Sequence, residues 1–127
     1  MKMRNCVITC ATFVLTACVQ APVFKSEDHA LLRSSYPVVS LNGAKIQPSY
    51  KLDIPSGDTK AVIVFRAYRY DYYCTFEWTA TPRTAYEVTD QEDKYPLTLY
   101  RWVRSNALWA SRLDPIDPMD CTRDSHT

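Results

Sequence analysis

Glycine and histidine are both scarce, with two of each among 127 residues. Tight barrels and propellers need glycine at their corners, so a chain that has only Gly43 and Gly57 disfavours them. The histidines are His29, in a polar stretch, and the penultimate His126. A Ser-His-Asp hydrolase needs an imidazole held rigidly between its partners, so that chemistry is not expected. No apolar run reaches the roughly twenty residues that a helix needs to cross a bilayer core. Charge of either sign is not in excess: fifteen Lys and Arg stand against fourteen Asp and Glu. They are mixed along the chain, which removes the basic stripe that nucleic acid would require. What is present, 46% hydrophobic and 23% charged residues, suits one small globular domain.

The N-terminus carries Lys2 and Arg4 and no acid, followed by Cys6 to Ala17, about twelve residues without a charge. A short buried helix would also be apolar, but cations, a bare apolar run and small residues in this order form the n-region and h-region of an export signal. Leu15, Thr16, Ala17 and Cys18 close that run. They resemble the lipobox of bacterial lipoproteins: Leu, a small or polar residue, Ala or Gly, then Cys. The resemblance implies cleavage before Cys18, diacylglycerol on its thiol and acylation of the new amino terminus. In that family Asp after the cysteine favours inner-membrane retention; Val19 stands here, which implies the outer membrane, facing the periplasm or the cell surface.

Removal of residues 1–17 takes Cys6 and Cys10 away and lipid blocks Cys18, leaving Cys74 and Cys121. Two thiols in an oxidising compartment are expected to form a disulfide. The alternative, a metal pair, lacks close spacing and further ligands. Loss of Lys2 and Arg4 leaves thirteen cations against fourteen acids, so the mature chain is near −1.

Residues 18–36 are polar and irregular and read as a lipidated tether, which leaves 37–127 as the domain. Beyond Val38 the pattern is β. Val39 to Leu41 and Ala44 to Ile46 flank Asn42-Gly43, a type I′ hairpin signal because both central residues need positive φ. Tyr50, Leu52 and Ile54 alternate with Lys51 and Asp53, and the strand stops at Pro55-Ser56-Gly57-Asp58. Val62 to Phe65 are apolar in succession, as expected where both faces are covered. Cys74, Phe76, Trp78 and Ala80 alternate with polar residues, which puts Cys74 inward. Short strands follow at Ala85 to Thr89, Leu97 to Arg104 and Leu108 to Leu113, although residues 101–113 also fit a helix with Trp102, Trp109 and Leu113 on one side. Pro115 and Pro118 make the end an extended loop or edge that returns Cys121 to the sheet. The sum is a small antiparallel β-sandwich of about seven strands.

Leu41-Asn42-Gly43, Ile54-Pro55-Ser56-Gly57 and the Val62, Val64 alternation resemble PEGA-type modules, small β-sandwiches of bacterial envelope proteins with an xG hairpin and a PxG turn. The likeness covers residues 41–64 and implies the same fold class.

Residues that could carry chemistry are few. Glu77, Glu92 and Asp93 are candidate glycosidase carboxylates, but the adjacent pair in a Pro-bounded loop reads equally as a solvated turn. Asp114, Asp117 and Asp120 could offer oxygens to calcium; they lack the glycine of calcium loops, and pairing with Arg101, Arg104 or Arg112 is the plainer reading. No cofactor or metal is expected. Tyr68, Tyr70 and Tyr72 share one face of a strand, either as sheet packing or as a platform for glycan. Trp102 and Trp109, with arginines nearby, are either core residues or a protein-binding hot spot. The expectation is a non-enzymatic envelope lipoprotein, held to the membrane by Cys18, with a protein or glycan partner and no nucleic acid.

Overall fold

The computed structural model describes residues 21–67, 69–90 and 96–125. Eight strands follow one another: β1 (His29–Leu41), β2 (Ala44–Pro55), β3 (Gly57–Arg66), β4 (Tyr70–Ala80), β5 (Ala85–Asp90), β6 (Leu97–Arg104), β7 (Ala110–Ile116) and β8 (Asp120–Ser125). The order in the sheet is β7-β6-β5-β1-β3-β4-β8, with β2 paired to β1. There is no helix among the described residues, so residues 101–113 are a strand, a turn and a strand.

The fold turns on β1. Its first half pairs Leu31 to Ser34 with β5, and its second half pairs Val38 to Leu41 with β3. The register slips between Arg33 and Val38. Pro37 lies in that gap and has no N–H for a ladder bond, so a bulge forms, and bulges bend and twist a strand. The Ser34 hydroxyl accepts the Tyr36 N–H at 3.1 Å inside the bend. One half-sheet, β5-β6-β7, thus grows from the start of β1 and the other, β3-β4-β8, from its end. Their inner faces close on one another: Leu32, Val88, Leu97 and Leu99 share a core with Ile63, Cys74 and Phe76. Trp78 of β4 meets Tyr86 of β5 edge-on at 5.6 Å, although these strands share no ladder. The result is a sandwich made by one curled sheet.

Several local expectations are met. Asn42 and Gly43 have φ of 51° and 87°, as the tight turn between β1 and β2 demands. Cys74 is fully buried and stands opposite Cys121 in the β4–β8 ladder, with the two sulfurs at 2.10 Å. Other expectations are corrected. The tether assigned to residues 18–36 is too long: β1 begins at His29, and Ala30, Leu31 and Leu32 are buried. Their apolar triplet sits behind a charged stretch that masked it in the sequence. The all-β class and a count of about seven strands hold, with eight present, but β1 with β5 is a parallel pair rather than antiparallel. Only the inner face of β3 is closed; Ala61 and Ile63 are fully buried, while Val62 and Val64 are half-buried on the outside. Cys18, Tyr68, Glu92, Asp93 and His126 lie outside the described residues.

The bend is braced by aromatic rings. Tyr36 meets Phe65 edge-on at 4.9 Å, and Phe65 lies 6.2 Å from Tyr72. A hydrogen bond from the Tyr36 hydroxyl to Asp90, at the end of β5, raises the phenol's pKa, and burial adds to the shift. Because the folded value is the higher one, this contribution to stability is whole below the ordinary tyrosine value near 10 and is lost as pH rises through the folded value. Tyr36→Phe is therefore expected to remove part of the alkaline loss of stability, seen as a smaller fall in urea midpoint between neutral pH and pH above about 10. The Cys74–Cys121 bridge closes 47 residues of sequence separation. Replacing both cysteines by serine is expected to cost about 2–4 kcal/mol in urea unfolding of the oxidised protein, and reduction of the wild type should give a similar loss; a change under about 0.5 kcal/mol would contradict a bridged native state.

Candidate binding surface

The residues singled out in the sequence do not form one surface. Tyr70 and Tyr72 open β4, whereas Ala80, at its other end, pairs with Gly57. Tyr72 packs against the core, whereas half-buried Tyr70, at the strand's start, carries Arg123 over its ring at 4.4 Å. Trp102 and Trp109 belong to the β6–β7 hairpin at the opposite end of the molecule. The ladder Leu31–Ala85–Trp102–Arg112 runs across β1, β5, β6 and β7. Beyond it lie the start of β1, the 81–84 turn and the β6–β7 turn, all at one end.

On the outer face of this half-sheet the Arg33 guanidinium stacks over Trp102, 4.6 Å from the ring centroid. Such a pair contributes roughly 0.5–1 kcal/mol at an exposed site. Lys51 is the cross-strand neighbour of Arg33. Arg112 donates from Nε to Glu87 Oε1 at 2.8 Å and from Nη2 to Oε2 at 3.4 Å, so the nearby acid is neutralised by a forked pair. That bond also raises the Arg112 pKa against the opposing effect of burial. The segment Ala21 to Val23 lies along the same face and, with Leu31, Arg33, Lys51 and Trp102, encloses a recess of about 90 Å³.

At the tip the chain turns through residues 105–109, and one side chain organises it. Asn106 Oδ1 accepts the N–H groups of Leu108 at 2.8 Å and Trp109 at 3.0 Å. The Trp109 carbonyl accepts the N–H groups of Ser105 at 2.9 Å and Asn106 at 3.2 Å. This is an Asx turn, in which a short polar side chain replaces a backbone acceptor. Its backbone N–H groups are paired within the turn, while Leu108 is 58% exposed and Trp109 68%. The sequence drew attention to the tryptophans and missed Asn106, Leu108 and Arg33. An asparagine two and three residues before an apolar pair, in the gap between two strand patterns, is the signal that could have found the turn.

Among the described residues, further polar groups stand in structural pairs. Ser26, Asp28 and His29 cluster at the start of β1, but Ser26 Oγ at 2.5 Å and Asp28 Oδ1 at 3.1 Å both approach the same ring nitrogen, Nδ1. A catalytic triad uses the two nitrogens separately, so this arrangement is a turn rather than a relay. Its hydrogen bonds, that of Ser26 first and then His29, hold the Asp28 carboxyl below the usual range. Glu77 stands on the outer face 3.9 Å from Lys60 Nζ. Asp71 is the buried carboxylate among the described residues, and Arg66 donates to both its oxygens, at 2.8 and 3.3 Å. Asp114 accepts from Arg101 Nε at 2.6 Å, as the pairing alternative to calcium expects. Among the described residues no group of three or more His, Cys, Asp or Glu is placed to hold a metal ion. No family model, curated protein or solved structure matches this chain.

The tip is held by Asn106 and exposes Trp109 without using it for packing. Asn106→Ala is expected to lower stability by about 1 kcal/mol, from two lost acceptor contacts, while Trp109→Ala stays within about 0.5 kcal/mol of wild type. Urea midpoints of the two variants check this; a large loss in Trp109→Ala would make the ring a packing residue.

Proposed function

We propose that this chain is a lipid-anchored protein of the bacterial cell envelope, a non-enzymatic accessory or binding factor carried on the outer membrane. The observation that carries the reading is the lipobox-like Leu15-Thr16-Ala17-Cys18 at the end of a charge-free run that follows Lys2 and Arg4. Two further observations support it. A bridged Cys74–Cys121 pair suits an oxidising compartment. The likeness of residues 41–64 to PEGA-type modules has the same envelope setting.

A binding role rests on the tip and the Arg33–Trp102 face, where Trp and Arg, the residue types that dominate interface energies, stand exposed or half-exposed. Of the carboxylates weighed for a glycan-acting enzyme, Glu77 pairs with Lys60, and Glu92 and Asp93 lie outside the described residues.

Fractionation of cells making wild type and Cys18→Ala tests the anchor. Wild type is expected in the outer-membrane fraction, and the variant is expected to lose most of that association and keep its signal segment. Equal membrane association of the two would overturn the reading.

A further inference from the structure

We propose that the β6–β7 tip is a membrane-contacting element: the outer face of Arg33, Lys51 and Trp102 lies against the phospholipid surface, and Leu108 and Trp109 enter its interface. This rests on the lipid anchor at Cys18 proposed above. Reach argues for it. From Cys18 to Ala21 the chain advances three residues, which span at most about 11 Å when fully extended. Ala21 lines the same recess as Arg33, Lys51 and Trp102. A lipid on Cys18 therefore keeps that face within about 11 Å of the lipid surface. Along β6, Trp102 is three residues from Ser105, roughly 10 Å of strand, so the tip is within reach of the same surface.

The tip is also built for such a place. Backbone donors that enter an apolar medium unpaired cost several kcal/mol each. Here the N–H groups of Ser105, Asn106, Leu108 and Trp109 are paired inside the turn, two with the Trp109 carbonyl and two with Asn106 Oδ1. What projects is Leu108 and Trp109, and tryptophan is the side chain most at home at the level of lipid headgroups. Val23, 77% exposed, adds an apolar contact beside the recess. Arg33 and Lys51 are cross-strand neighbours on this face, and Arg112 already neutralises the neighbouring Glu87. With Arg33, Lys51 and Arg112 set against Glu87 and against Asp53, which stands opposite Leu31 on the same face, three cations meet two acids, and the small positive excess has the sign that suits anionic lipid.

The test uses the mature lipidated protein in vesicles of phosphatidylethanolamine and phosphatidylglycerol with brominated acyl chains, which quench tryptophan at short range. The tryptophans are Trp78, Trp102 and Trp109. Wild type is expected to be quenched, Trp109→Phe to lose at least half of that quenching, and Trp78→Phe to retain it, with all three proteins floating with the vesicles. Unchanged quenching in Trp109→Phe, or none in a wild type that floats, would overturn the inference while leaving the anchor intact, and would hand the tip to a protein partner. Wild type that fails to float, like Cys18→Ala, would remove the anchor and this inference together. Urea midpoints of the variants separate loss of contact from loss of fold.

Discussion

The bend in β1 is the constraint on which the other elements depend. A proline in a strand removes one ladder donor, and the register slip around Pro37 turns that loss into a change of direction. One strand then serves two half-sheets, and the two inner faces meet without a crossover helix. Burial follows from this geometry: Leu32 before the bend and Val38 after it are both fully buried in one core. The Tyr36–Phe65–Tyr72 rings fill the angle, and the Tyr36 bond to Asp90 ties the end of β5 to it. At the far side of the second half-sheet, the Cys74–Cys121 bridge fixes the edge strand β8 to β4.

Features governed by neighbours in the chain were legible before the structure was known. Asn42-Gly43 announces its turn because few other pairs tolerate two positive φ angles. The alternation from Cys74 to Ala80 gives the inward face of β4, and with it the position of the disulfide. Features governed by distant partners were not legible. Leu31 and Ala85 are paired in parallel across more than fifty residues, and no local pattern selects that partner. The start of β1 was hidden because charged residues precede Ala30-Leu31-Leu32 and the composition of the window looked like a linker. Tyr70 and Tyr72 could be read by parity as one face of β4, but only the position of Phe65 on β3 says that Tyr72 packs into the core.

The candidate surface was half legible for the same reason. Trp102 and Trp109 stand out in composition, yet their roles diverge: one is capped by Arg33 from β1, and the other is projected by a turn that Asn106 holds. A cation on a distant strand and a side-chain acceptor in a loop leave no periodic trace. Ala21 to Val23 run along the face that carries Arg33 and Trp102, three residues on from the attachment point proposed at Cys18.

The proposed lipid anchor and the Cys74–Cys121 bridge both leave their mark on the intact mass of the protein under non-reducing conditions. The account predicts a chain beginning at Cys18, carrying the mass of a diacylglyceryl group and one further acyl chain, and two hydrogens lighter than the dithiol form. A chain that retains residues 1–17, or a Cys18 without lipid, would contradict the anchor. Free thiols at Cys74 and Cys121 in protein taken from the envelope would contradict the bridge.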